Sequence, residues 1–285
     1  MKSRLYHLHT LSALHCGTGQ SAGVIDLPIA RDRATNLPLV PGSSLRGVLR
    51  SGIEADNKEL AKTLFGPRSI GGAEDAHAGA LAVGDAHLLL LPIRALAGIV
   101  AYATCPFILK RYAADSKGAP VVPVPTDTQA LYTSGNVNQL SGKIVLEEID
   151  LTPQQNPQVE QWAGVIAAAV FADDAVAQED MKQRFLILPD SVFSFLAETA
   201  TEIRARIAID DQTGVVKEGA LWYEENLPAE TVLWGIYALS DSRVKGEGTK
   251  ADDLAVKMPT NTLLQLGGKA GVGRGLTRFL AGGQA

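Results

Sequence analysis

The sequence predicts an α+β protein built on a mainly antiparallel sheet, and two patterns carry that expectation. Strand-like and helix-like segments alternate through the 285 residues with no regular period, whereas a parallel βαβ array would take strand and helix in strict turn. Late in the chain "IRARIAID" and "ALWYEENLP" flank a Thr-Gly turn, the pattern of two antiparallel strands and their tip. There is no internal repeat and no low-complexity tract. The length suits one domain over 1–285 with a substantial core.

The elements follow in order. "RLYHLHTLSALH" alternates as a strand, with Leu5, His7, His9 and Leu11 on one face. Two histidines two apart could chelate a metal, but no third ligand lies nearby, so they read as lining a half-exposed sheet face. "GTGQSAG" is a glycine-rich loop, and in "VIDLPIARD" Pro28 keeps a short extended piece out of a sheet centre. "NLPLVPGSSLRGVLRSGIEADNKELAKTLFG" is a helix, with Ser43 or Ser44 as N-cap, Leu45, Val48, Leu49 and Ile53 at helical spacing, and Gly66 as the stop. Arg46 and Arg50 share one face of it, and its start offers free backbone N–H groups that suit phosphate.

"HLLLLPI" and "LAGIVAYATCPFIL" read as two buried strands, and the Pro-rich stretch within 113–140 as an insertion. "GKIVLEEIDL" is a strand, "PQVEQWAGVIAAAVF" and "PDSVFSFLAETA" are helices, and "ETVLWGIYAL" is a further strand.

Composition removes several function classes. The longest apolar run is broken by Pro92 and Arg94, short of the about 20 residues a bilayer span needs, and the N-terminus has no signal-peptide h-region; a cytoplasmic protein is expected. Cys16 and Cys105 have no C-x-x-C partner and read as reduced thiols. Neither a G-x-S-x-G elbow nor an H-E-x-x-H pair is present. The glycine-rich "LQLGGKAGVGRGLTRF" fails as a dinucleotide fingerprint at Leu276 and as a P-loop at Ala270. It remains either a loop whose backbone can approach a phosphate or a tight turn between two core elements.

The net charge is −5, but it is segregated. Residues 1–25, 42–53 and 267–285 carry basic side chains and no acids, while acids gather in 146–150, 171–180 and 251–255. Folded together, these blocks give one basic and one acidic face. With 6% aromatics and no RNP-type run, any bound RNA would be held by phosphate and shape contacts more than by stacking.

The ordered set "LHCGTGQSAGVIDLPIARDRATNLPLVPGSSLRGVLRS", "LFG", "IDDQTGVVKEGALWYEENLPAETVLW" and "QLGGKAGVGRG" resembles the RAMP superfamily of CRISPR RNA-binding proteins over nearly the whole chain. Within it, "VIDLPIARD", "VLEEID" and "LWYEENLP" look most like the backbone subunit of the Cmr (type III-B) effector complex. The resemblance implies a ferredoxin-like (RRM-like) core with a protruding β-hairpin thumb, for which 205–222 is the candidate. It also implies copies stacked as a helical filament along a guide RNA beside other Cmr subunits, cutting complementary target RNA at regular intervals. By this resemblance Asp26 is the catalytic aspartate, with His15 and Glu225 as assistants. Ser43, Ser44, Arg46, Arg50, Gly267, Gly268, Lys269 and Arg274 would bind RNA.

The chemistry is consistent on independent grounds. RNA brings its own 2′-OH nucleophile, so a protein needs in-line geometry, charge stabilisation and proton transfer rather than a nucleophile of its own. A single exposed carboxylate could hold Mg2+ or Mn2+ at the scissile phosphate. Two alternatives stay open on sequence, a non-catalytic scaffold of the same fold and a guide-processing nuclease using His15 or His7 as base; a small-molecule enzyme using the glycine loop for a nucleotide is disfavoured by the failed fingerprints.

Overall fold

A computed structural model of the chain describes residues 1–19, 25–68 and 76–284. The first strand, β1 (Lys2–Thr10), is followed by β2 (Leu39–Val40), helices α1 (Gly42–Asp56) and α2 (Lys58–Phe65), and strands β3 (Leu81–Val83), β4 (Ala86–Ala95) and β5 (Ile99–Thr104). Helix α3 (Pro106–Asp115) leads to β6 (Gln129–Tyr132), β7 (Gln139–Leu140), β8 (Lys143–Leu146) and β9 (Ile149–Gln155). Helices α4 (Pro157–Val170) and α5 (Ala175–Gln183) precede β10 (Phe185–Ile187) and α6 (Asp190–Thr199). Then come β11 (Glu202–Ile209), β12 (Val216–Asn226), β13 (Val232–Leu239), α7 (Ala251–Val256), β14 (Asn261–Gln265), a 3-10 turn (Ala270–Val272) and β15 (Leu276–Gln284).

The α+β content is as expected, but the sheet is larger and more mixed. Thirteen strands join in the order β14-β15-β1-β13-β4-β5-β10-β6-β9-β8-β7, with β2 added to β4 and β3 to β13. A pairing of Ala95 with Leu146 brings β8 back to β4, so β4, β5, β10, β6, β9 and β8 close a six-strand ring. Two pairs in this half are parallel, β10 on β5 and β6 on β9. Their long connections permit this, since a parallel neighbour needs a crossover rather than a hairpin. In the other half β15, β1, β13 and β4 are neighbours and all antiparallel.

Three local expectations are corrected. The long helix breaks at Asn57, whose side chain accepts from the Leu60 N–H at 2.9 Å and caps α2; Gly66, at φ 81°, does end α2. The N-cap of α1 is Pro41 rather than Ser43 or Ser44, because the Gly42 N–H is satisfied by Asp85 Oδ1 at 2.7 Å across the fold. "LAGIVAYATCPFIL" is a strand only to Thr104, since Pro106 presets the first turn of α3, with Cys105 as N-cap.

The histidine face of β1 is not half-exposed either. Helix α4 covers it, leaving His7 and His9 each 4% exposed. His7 Nε2 meets the Tyr112 hydroxyl at 2.9 Å, and burial pulls its pKa down to about 4, so it is neutral at physiological pH. His9 Nε2 binds Glu230 Oε2 at 2.7 Å. The indole N–H of Trp162, a fully buried anchor of α4, donates to the Val121 carbonyl at 3.0 Å and pins the Pro-rich run of 113–140 to the core. The same segment supplies the end of α3 and all of β6.

Strands β11 and β12 form a separate two-stranded sheet. Along it Ile203, Ile207, Ile209 and Leu221 stay about half exposed. Helix α1, by contrast, is fixed tightly where it begins: a Cβ on Gly42 would lie 2.6 Å from the Val83 carbonyl oxygen and 2.7 Å from that of Gly84. Gly42→Ala is therefore expected to cost about 1–3 kcal/mol by overpacking, seen as a lower urea midpoint at unchanged m-value.

Candidate functional site

The piece carrying Asp26 has no ladder of its own, and a strand root holds it. Leu27 bridges Glu224 of β12 in parallel, the Leu27 N–H donates to the Tyr223 carbonyl at 3.1 Å, and the Glu225 N–H donates to the Leu27 carbonyl at 3.0 Å. Pro28 cannot donate, which confines the pairing to this short stretch. Asp26 itself is exposed, and its Oδ2 accepts the Tyr223 N–H at 2.8 Å. The segment thus presents a carboxylate to solvent in a fixed posture beside the hairpin.

Glu225 makes that posture possible. Its side chain is 4% exposed, and both oxygens are occupied. Oε1 takes the Arg31 guanidinium at 2.5 Å and the Thr201 hydroxyl at 3.0 Å, while Oε2 takes the Ile29 N–H at 3.1 Å. Arg31 also reaches the Ala197 carbonyl at the end of α6 at 3.2 Å. Glu225 therefore acts as a clamp, with its acceptor sites directed inward.

His15 is 6% exposed and reaches the same root from the other side. Its Nδ1 donates to the Glu225 carbonyl at 2.7 Å, since a carbonyl can only accept. Its Nε2 faces Gly17, where a Cβ would lie 2.8 Å away. The glycine loop packs on His15 backbone to backbone. The Gly268 N–H donates to the His15 carbonyl at 2.9 Å, and a Cβ on Gly267 would lie 2.2 Å from that oxygen. The loop is thus also the tight link between β14 and β15. Lys269 in this loop pairs with Glu224 at 3.1 Å and lies 5.8 Å over the Trp222 ring. Arg274 is 9% exposed, with its Nε buried and unpartnered.

The basic helix face meets this assembly at its start. Ser43 is exposed, and the Ser44 hydroxyl hydrogen-bonds the Cys16 thiol. Burial raises the pKa of that thiol, with the Ser44 bond opposing, so the cysteine stays protonated. Arg46 donates to the Phe65 carbonyl at 2.7 Å and lies over the Phe65 ring, and Arg50 donates to the Gly66 carbonyl at 3.0 Å. Both arginines close the C-terminus of α2, where orphan carbonyls need donors.

Sequence reasoning did not single out Arg31, Thr201, Trp222, Tyr223 or Glu224. The signal available for two of them was the pair Glu224-Glu225 in a strand, which must point to opposite faces and so demands two separate sets of donors.

Among the described residues no group of three or more His, Cys, Asp or Glu could hold a metal ion. What fits Asp26 is a hard cation taking one carboxylate oxygen here and its other ligands from phosphate and water, the way Mg2+ is commonly held. No described helix is long and apolar enough to cross a membrane.

Comparison with known proteins agrees with this architecture. The chain is 34% identical over 290 residues to the CRISPR system Cmr endoribonuclease Cmr4 of Pyrococcus furiosus, covering 98% of this chain and 95% of that protein. It is 22% identical over 300 residues to the CRISPR system CMR subunit Cmr4 of Saccharolobus solfataricus, covering 96% and 94%. The crystal structure of oligomeric Cmr4 from Pyrococcus furiosus superposes with a TM-score of 0.74 at 28% identity, covering 99% of this chain and 98% of that one. A chain of a type III-B Cmr-beta complex bound to cognate target RNA shares the fold, with a TM-score of 0.73 at 19% identity and coverage of 99% and 97%. The sequence pattern of the RAMP superfamily matches residues 7–278, and the chain belongs to that superfamily.

Proposed function

We propose that this chain is the guide-RNA-binding backbone subunit of a type III-B CRISPR effector complex, and that it cleaves complementary target RNA beside Asp26. One observation carries the reading: an exposed carboxylate is fixed by backbone hydrogen bonds at the root of a protruding hairpin, next to a glycine loop bearing Lys269. The 34% identical relative is named an endoribonuclease, and the 28% identical one was solved as an oligomer; both support cleavage and self-assembly into a filament with other Cmr subunits. Hairpin β11–β12 is the thumb in this reading, and its exposed isoleucines suit insertion against stacked bases. The antiparallel run β15-β1-β13-β4, with α1 after β1 and α7 after β13, is the ferredoxin-like core. The setting is the cytoplasm.

The chain's own groups divide the work. The target's 2′-OH is the nucleophile, the hairpin splays the nucleotide toward in-line geometry, and Asp26 lies where a proton or a charge at the scissile phosphate can be managed. A divalent cation, Mg2+ or Mn2+, would supply charge neutralisation at that phosphate. Glu225 serves as structure: it positions the Asp26 segment without touching the reaction. His7, neutral and buried under α4, has no path to RNA as a general base.

Complexes assembled with Asp26→Asn are expected to bind complementary RNA normally and to cut it at least about a hundredfold more slowly. Gel analysis with Mg2+, with Mn2+ and with EDTA checks this; a normal product ladder from the substituted complex would refute the assignment. Lys269→Ala should weaken guide binding and lower its salt slope by about 0.7, the value of one phosphate contact on a single strand, in filter-binding across a salt series. Arg31→Ala leaves a buried carboxylate unpaired and is expected to cost about 3–5 kcal/mol, measured by urea unfolding of the isolated chain.

A further inference from the structure

The hairpin root and the glycine loop meet at a second carboxylate, which the chemistry above does not use. Glu224 is fully buried. Its Oε1 accepts the Trp222 indole N–H at 2.9 Å and faces Lys269 Nζ at 3.1 Å and Arg206 Nε at 3.8 Å. Its Oε2 has no hydrogen-bond partner, and neither has Oδ1 of Asn226, two residues along the same strand face. Burial pushes such a carboxyl toward protonation, but the bonds from Trp222 and Lys269 and the charges of Lys269 and Arg206 outweigh it and hold the pKa below the ordinary range.

A buried anion with one unpartnered oxygen is a costly thing to keep, and it stands where three elements cross. Leu27 bridges Glu224 itself, and the Tyr223 N–H, one residue away, holds Asp26. From the third side comes Lys269, whose backbone sits at φ 66°, a left-handed conformation that costs a non-glycine residue energy. From that backbone the ammonium reaches the carboxylate at 3.1 Å.

We propose that Glu224 is a positioning residue that couples guide occupancy to Asp26: it ties the glycine loop, through Lys269, to the strand whose main chain holds the catalytic carboxylate. This rests on the reading of Asp26 and Lys269 given above. A guide phosphate and Glu224 compete for one ammonium, and such a linkage is reciprocal. Removing the charge of Glu224 therefore acts with opposite signs on two measurable steps: it frees Lys269 for RNA, and it weakens the holds of Trp222 and Arg206 on Glu224, which remain when Lys269 has moved to the guide and which steady the strand beside Asp26.

The test uses full complexes carrying Glu224→Gln, which keeps the shape and removes the charge. Guide binding is expected to tighten at an unchanged salt slope, because Lys269 makes its one phosphate contact in both proteins and only the competition from Glu224 is removed. Single-turnover cleavage of bound target should fall about tenfold or more, as a small misplacement of a reacting group does, with target affinity unchanged. A residue with only a structural role would weaken both steps together, and that result, or wild-type values for both, overturns the proposal. Should Glu224→Gln fail to assemble, Trp222→Phe removes one donor to the same oxygen and must shift both steps in the same directions by less; no shift is again a refutation. Asp26→Asn run in parallel separates the two ideas: normal cleavage by that complex sinks the site itself, whereas an inactive Asp26→Asn beside a fully active Glu224→Gln sinks only the coupling.

Discussion

The buried pair of Glu225 with Arg31 is the interaction on which the rest of the site depends. Main-chain bonds tie segment 25–31 to Cys16, Leu39 and the hairpin, and Glu225 adds the side-chain hold, accepting from a guanidinium, a hydroxyl and a main-chain N–H. Two charges taken from water are costly to bury, and packed apolar residues can match such a pair in stability. Apolar residues could not supply direction. Three hydrogen bonds to two oxygens fix the segment's rotation as well as its distance, and Asp26 inherits that orientation through Leu27 and Tyr223. A partly satisfied network would be worse than none, and here both oxygens of Glu225 are satisfied.

Glycine makes the second constraint. At Gly267 the loop lies so close to the His15 carbonyl that any side chain would collide with it, and φ 70° is open to glycine at no cost. The close approach makes one body of residues 13–17, the loop and the end of β12. Of the two readings that sequence left for this loop, the tight turn between β14 and β15 is the one its packing on His15 displays. The glycines bring the backbone in, and the residue between them and the 3-10 turn, Lys269, is held outward at the hairpin.

How much of this was legible varied with the physics involved. Helical spacing placed α4 and α6, each of which buries one stripe, and the Thr-Gly turn between two extended runs placed the hairpin, whose strands stay largely exposed. Periodicity missed the end of β5 at Thr104, although Pro106 was the signal for a helix start, since a continuous apolar run looks alike in both states. It placed Ser43 and Ser44 as caps, but Asp85, more than forty residues on, supplies the cap contact; a long-range partner leaves no local trace. The six-strand ring was equally invisible, depending on the single Ala95–Leu146 meeting. For the site, resemblance supplied Asp26, His15 and Glu225. The structure then separates their settings, because only Asp26 is exposed.

The basic helix face shows why a free-state contact does not disqualify a residue from binding RNA. A guanidinium has five N–H donors in a rigid fork, and the bond of Arg46 to the Phe65 carbonyl uses one of them. That bond, together with the Phe65 ring, removes rotamer freedom that a phosphate would otherwise have to remove on binding. The same holds for Arg50 at the Gly66 carbonyl. Lys269 differs: its three donors sit on one compact charge, and Glu224 neutralises that charge directly. The arginines are therefore preorganised and additive, able to hold α2 and RNA at once, whereas the lysine must exchange one partner for the other. In the function proposed above, the first kind of cation binds the guide and the second registers the binding.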